Sequence, residues 1–364
     1  MRRLVRSAWV GALAACTPSH EKTQAAASAP VADPRMRVGV DRRVEIFSIL
    51  FCLAGNDEYS RQAIATPYSK AMLAHFTPYI GHIAVVASKQ LHDKFGVGFE
   101  QPITLAVQLD DALEPVQPLN PLPEGLSATW KNADLDKYLG MVRDFVARSR
   151  FDDFWREQQP YLAKIDAAWT AYTANKGLLP WFDGVFGRKE KATYRIAPAM
   201  LSGPHNWGVH AVRADGTEEV LQAMSLIAVD GAGIPQLTDD TAWLLGHELA
   251  HPYVNPMVDR HMATLAAPLE AAFDREKDAM VRLHYTTPAI VGYESVARAI
   301  QVMYVSDRLG KEAAKKVLDD LVTIGFVWSP ALVTALDRAR AKNEMRLSED
   351  AIITALSETL TAIR

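Results

Sequence analysis

The chain has 364 residues, of which 49% are hydrophobic and 23% are charged, and these values are ordinary for a globular protein. This length is compatible with one large domain or with two lobes around a substantial core. The net charge of −4 provides no basic surface for nucleic acid, so the composition argues against a nucleic-acid partner.

Residues 1–15 have the pattern of a lipoprotein-type signal peptide, because an arginine-rich start is followed by a short apolar stretch. The stretch LAAC ends at Cys16 and resembles a bacterial lipobox, whose cysteine receives a lipid. We therefore expect an exported protein that is held in the cell envelope by a lipid on Cys16. In a host with two membranes, Thr17 favours the outer one. Plain export and a misassigned start codon are the alternatives.

Residues 16–37 are small, polar and rich in proline, which predicts a disordered tether. A helical N-terminal lobe is predicted over 38–185. Apolar residues recur there with helical spacing over 40–54, 69–76, 83–95 and 134–174. The segment 102–123 is rich in proline and lacks periodicity, so we expect an irregular connection there.

A second region, 186–364, begins with strand-like runs and continues as helices. The runs are ATYRIAPAM, NWGVHAVRA and EVLQAMSLIAV, which predict a small sheet. The whole pattern predicts an α+β fold that is mainly helical. The stretch HNWGVHA is compatible with an edge strand that binds extended peptide by strand addition, or with an ordinary strand of the sheet.

The stretch LLGHELAHPYVNP carries an HExxH motif. Residues four apart lie on one helix face, so His247 and His251 can direct two imidazoles at one point. Zinc binds imidazole nitrogen, and Glu248 can accept a proton from a water at the open position of such a site. The alternative is a buried helix with two hydrogen-bonded histidines.

The predicted helix that carries this motif begins after the capping residues Thr238, Asp239 and Asp240. Pro252 and Pro256 lack the backbone N–H groups that a helix needs, so we expect the helix to end within a few residues of His251.

A third metal ligand must come from elsewhere in the chain. Met257 occupies the position where a metzincin has its histidine, and Asp259 and His261 follow too closely behind the prolines to be assigned. Glu270 and Glu294 remain. We choose Glu294 and keep Glu270 as the fallback.

Glu294 lies on the more apolar of the two helices, where a carboxylate needs a partner. Arg298, one turn later, could hold this carboxylate from outside the metal site. The alternative is a simple Glu294–Arg298 helix pair without a metal.

Four stretches together resemble an uncharacterised bacterial family of domains of unknown function. They are VEIFSILFCLAGNDEY, HFTPYIGH, HELAHPYVNP and the later ExxxR helix. The resemblance extends from about Val38 onward, and members of that family look like gluzincin-type zinc metallopeptidases. It implies a zincin-like catalytic region with a Zn²⁺ cofactor. It also implies metal ligands and a general base at His247, His251, Glu294 and Glu248.

These patterns together predict a zinc-dependent hydrolase, with a peptide or protein as substrate. An oxyanion donor is also expected, and among His284, Tyr285 and Tyr293 we choose Tyr285 as this catalytic residue. The alternatives are a non-catalytic surface lipoprotein that keeps a zincin-like fold as a binding module, and an amidase that acts on cell-wall peptides.

Overall fold

The structure is a computed structural model that describes residues 33–60 and 64–363. The predicted signal peptide, Cys16 and most of the predicted tether lie outside the described residues. The described part is mainly helical with one small sheet, which confirms the predicted fold class. The strands are β1 (Met36–Val38), β2 (Ala192–Ala199), β3 (Trp207–Val212) and β4 (Glu218–Ser225). The α-helices are α1 (Arg42–Leu53), α2 (Asp57–Ser60), α3 (Pro67–Phe76), α4 (Ile83–Phe95), α5 (Gln101–Ala106), α6 (Leu135–Arg148), α7 (Phe151–Thr173), α8 (Leu178–Phe186), α9 (Asp239–Arg260), α10 (Met262–Arg275), α11 (Lys277–Arg282), α12 (Pro288–Leu309), α13 (Lys311–Thr323), α14 (Ser329–Ala341) and α15 (Glu349–Ala362).

The sheet has the strand order β1-β2-β4-β3, so β3 is an edge strand. β2 pairs in parallel with both β1 and β4, whereas β3 is antiparallel to β4. Trp207, Val209 and Ala211 are buried, and the residues between them are half-buried, as expected for a strand with one face on the core. The three strands predicted from the sequence are confirmed. β1 was not predicted, and the tether assigned to 16–37 is wrong at its end, because β1 begins at Met36 and pairs with β2.

The two predicted lobes, 38–185 and 186–364, belong to one compact unit. β1 lies before the first lobe in the chain, yet it hydrogen-bonds to β2 in the second. The helix α1 begins near its predicted position, after the N-cap Asp41. The short helix α5 was missed, because it lies at the start of the segment predicted to be irregular.

Helices α9 and α12 pack directly against each other in the centre of this unit, and α9 also packs on β3. Gly246 on α9 allows the close approach, since a Cβ there would lie 2.7 Å from the ring of Tyr304 on α12. Both helices are buried on nearly every face, as their apolar composition predicts.

The prediction that α9 ends near His251 is wrong, because the helix continues through both prolines to Arg260. Pro252 has no backbone N–H to donate to the Glu248 carbonyl, so the usual helical hydrogen bond is missing there. That carbonyl lies against β3, where a Cβ added to Gly208 would be only 1.8 Å from its oxygen. Packing against α12 and β3 therefore maintains a helix that local propensity would interrupt.

Candidate metal centre

The three predicted metal ligands converge between α9 and α12. The Nε2 atoms of His247 and His251 are 3.1 Å apart. The Glu294 carboxylate places Oε2 at 3.6 Å from His247 Nε2 and Oε1 at 3.4 Å from His251 Nε2. These side chains could hold a metal ion, and within the described part of the chain they are the group found with ligand atoms close enough to do so.

The other candidates for the third ligand lie elsewhere. Glu270 is exposed on α10 and is not part of the group. Asp259 lies on α9 and accepts a hydrogen bond from the Tyr293 hydroxyl. His261 pairs with Glu349 at 3.0 Å.

The Glu294 carboxylate is buried and held by two donors. Arg298 Nη2 lies 3.0 Å from Oε2, and the Tyr285 hydroxyl donates to the same oxygen at 2.9 Å. Arg298 also donates to the Tyr285 hydroxyl at 2.7 Å. Burial acts to raise the pKa of Glu294, but the charge of Arg298 first, then electrostatic interactions with the two histidine rings and the hydrogen bond from Tyr285, outweigh it, and the pKa is about 2. Glu294 is therefore ionised at neutral pH.

The surroundings of the two histidines suit metal binding. Burial lowers the pKa of His247 well below its ordinary value, so this ring is neutral. His251 Nδ1 lies 3.1 Å from Asn255 Oδ1, an amide oxygen that can only accept, so Nδ1 carries the proton. The other ring nitrogen of His251, Nε2, faces His247 and Glu294, as the nitrogen of a metal ligand must.

Glu248 is buried beside this group on the same helical turn. Burial, and then the negative charge of Glu294, raises the pKa of Glu248 to about 8. Arg298 and a hydrogen bond from the Gly208 backbone act in the opposite direction. The edge strand β3 thus runs past the carboxylate that the sequence assigns as the general base.

A further acidic residue, Glu100, lies within electrostatic range of Glu248 and Glu294. Burial, with the charge of Glu294 also contributing, raises its pKa. Glu100 was not predicted as a site residue, because it is part of no motif. It precedes α5, the helix that was also missed, and only its place in the fold brings it to the centre.

Three rings group together on segments that also contribute to this centre. The Phe99 ring lies 5.7 Å from the His205 ring and 6.1 Å from the His284 ring, measured between centroids. Phe99 precedes Glu100, His205 lies just before β3, and His284 precedes Tyr285. Phe99 and His284 have positive φ angles of 48° and 66°. Residues other than glycine rarely adopt such angles, and those that do are often found at functional sites.

The chain was compared with protein families, curated proteins and solved structures. No curated protein matches it, and no solved structure does. One family, described as a domain of unknown function (DUF4932), matches residues 36–348, and this range includes every residue of the centre. The chain belongs to the DUF4932 family.

Proposed function

We propose that the protein is a zinc-dependent hydrolase that cleaves peptide bonds, as a gluzincin-like metallopeptidase. One observation carries the proposal: His247, His251 and Glu294 converge on one point, and the buried carboxyl of Glu248 lies on the same helical turn as the two histidines. A purely structural metal site has no need of this additional buried acid, whose burial is costly.

The spacing of the donor atoms fits zinc. Ligands at about 2.0–2.1 Å in a tetrahedral arrangement are separated from one another by about 3.4 Å. The three separations between the two Nε2 atoms and the nearest Glu294 oxygens are 3.1, 3.4 and 3.6 Å. Two imidazoles and one carboxylate are a donor set found in catalytic zinc sites, and they leave a fourth position open for water or substrate.

Bound zinc would supply Lewis-acid polarisation of the scissile carbonyl and would activate water for attack. Glu248 would take the proton from that water on its carboxylate and pass it to the leaving amine. A cation beside Glu248 favours the carboxylate form, which counteracts the burial that raises its pKa. Arg298 and Tyr285 would keep Glu294 ionised and oriented.

The edge strand β3 offers a place for an extended peptide beside this site. Its far end is covered, because the Val212 N–H donates to the Glu124 carbonyl and Gly125 lies against His210. Gly208, two residues before His210, faces the same edge. Its backbone hydrogen-bonds to the Glu248 carboxylate and lies against the Glu248 carbonyl. We propose that substrate backbone pairs with β3 near Gly208.

The role of Tyr285 as oxyanion donor stays a prediction. In the structure its hydroxyl donates to Glu294 and accepts from Arg298, so it acts on a metal ligand. We propose that Tyr285 positions Glu294. The lipid on Cys16 and the location in the cell envelope also stay proposals.

The test replaces Glu248 by glutamine in the full chain. Glu248→Gln should retain bound zinc and lose turnover of a fluorogenic peptide mixture by about 10²- to 10⁴-fold, the usual contribution of a general base. Glu270→Gln, at the exposed glutamate, is the matched control and should retain both properties. Full activity of Glu248→Gln would exclude this mechanism. Zinc binding without turnover in the unmodified protein would favour the binding module.

A further inference from the structure

The turn between α3 and α4 exposes large apolar side chains at one place on the surface. We call residues 73–86 the α3–α4 corner. Leu73 and Val86 are 48% and 45% exposed, and Ile80 and Ile83 are each 56% exposed. Exposure of each of these side chains to water costs free energy, and all four fall within residues 73–86, around one turn.

No charged side chain interrupts this surface. The exposed residues of the corner are Leu73, Ala74, Thr77, Pro78, Ile80, Gly81, Ile83 and Val86. The sequence has no aspartate or glutamate between Glu58 and Asp93. The solvent-facing side of a helix usually carries charged and polar residues. The apolar, uncharged composition of this surface therefore points to a contact with something other than water.

The opposite face of the corner is anchored in the protein. Met72, Phe76, Ala84 and Val85 are buried in the core. In the described part of the chain no single helix is long and apolar enough to cross a membrane. The helical segments Pro67–Tyr79 and Ile83–Phe95 would together be long and apolar enough to span a membrane, but they are bent by 101° relative to each other. Because its inner face is packed, such a pair can rest on a bilayer without spanning it.

The charges nearest the corner lie at its rim. Lys70 is exposed one turn before Leu73. Lys89 pairs with Asp93 at 3.0 Å, and Asp144, which also contacts His82, pairs with Arg148 at 2.8 Å. The acidic groups near the corner are thus neutralised, and Lys70 is available for an anionic headgroup.

We propose that the α3–α4 corner inserts into the interface of a phospholipid bilayer. Its uncharged tip would enter the boundary between headgroups and acyl chains, and Lys70 would lie at headgroup level. The proposal does not depend on the metal centre. It would add a second membrane contact to the predicted lipid on Cys16.

A fluorophore at the corner tests insertion directly. The full chain with Cys16→Ser, which prevents lipidation, would carry Ile83→Cys labelled with an environment-sensitive dye. Burial raises the pKa of the Cys52 thiol to about 11, so Cys52 reacts slowly during labelling. On addition of phosphatidylglycerol–phosphatidylcholine vesicles, the dye at position 83 should shift to shorter wavelength. The matched control Ile227→Cys, at a residue 53% exposed outside the corner, should not shift. An unchanged spectrum at position 83 would overturn the proposal, whatever the N-terminus does.

Cosedimentation with the same vesicles gives the second measurement. Ile80→Glu together with Ile83→Glu should lower the vesicle-bound fraction at least tenfold relative to Ile227→Glu, with circular dichroism confirming that all variants are folded. Analytical ultracentrifugation in the absence of vesicles gives the competing result. If the corner variants abolish a dimer and leave vesicle binding unchanged, the corner is a contact between copies of the chain and the bilayer proposal is wrong.

Discussion

Removal of the Tyr285 hydroxyl should weaken metal binding before it affects any chemical step. That hydroxyl donates to Glu294 Oε2 at 2.9 Å and accepts from Arg298 at 2.7 Å. In Tyr285→Phe the carboxylate loses one of its two donors, and Arg298 loses an acceptor. Loss of a partner that orients a ligand costs about 10- to 100-fold in metal affinity, which corresponds to about 1.4–2.8 kcal/mol.

The assay is competition for zinc between the full chain and a chromophoric chelator. Tyr293→Phe is the matched control, since Tyr293 is adjacent to Glu294 in sequence but its hydroxyl donates to Asp259. We expect this control to bind zinc as the unmodified protein does. If Tyr285→Phe binds zinc within twofold of the unmodified protein and loses only turnover, Tyr285 is the oxyanion donor and our positioning argument is refuted.

Two further predictions concern stability. Burial raises the pKa of Glu45 to about 7 from its ordinary 4.5, so the folded state holds a proton that the unfolded state releases, and stability falls as pH rises from 4.5 to 7. Glu45→Gln is the control, because its side chain can still accept the hydrogen bond from the Met200 N–H. Across that pH window, the free energy of unfolding measured with urea should fall by about 3 kcal/mol more in the unmodified protein than in the control. Parallel pH profiles of the two proteins would contradict this prediction. Gly208→Ala should destabilise the fold and disturb the site, because its Cβ would lie 1.8 Å from the Glu248 carbonyl. Gly140→Ala, in open space on α6, should instead stabilise by about 0.5–1 kcal/mol in the same assay, and equal effects would refute the close-packing argument.

The parts of the fold that sequence patterns predicted are those with a strong local signal. The strand-like run NWGVHAVRA predicted β3, and helical spacing predicted α1 and α4. The spacing of His247, Glu248 and His251 placed these residues on one helical turn. An acidic residue on an apolar helix needs a partner, and this argument led to Glu294.

The parts that were missed depend on packing between distant segments. The continuation of α9 beyond Pro252 depends on packing against β3 and α12. The sequence around Pro252 carries no signal of this packing. β1 is only three residues long and exists because β2 offers a free edge. Glu100 and Phe99 reach the centre through the fold of the α4–α5 connection.

The central claim is that two imidazoles from α9 and one carboxylate from α12 bind a single divalent cation. The most direct test is the metal content of the purified full chain after dialysis against zinc, measured by inductively coupled plasma mass spectrometry, with Glu294→Gln and Glu270→Gln alongside. We predict one zinc per chain in the unmodified protein and in Glu270→Gln, and strong loss of zinc in Glu294→Gln. A full equivalent of zinc in Glu294→Gln, or none in the unmodified chain, would contradict the account.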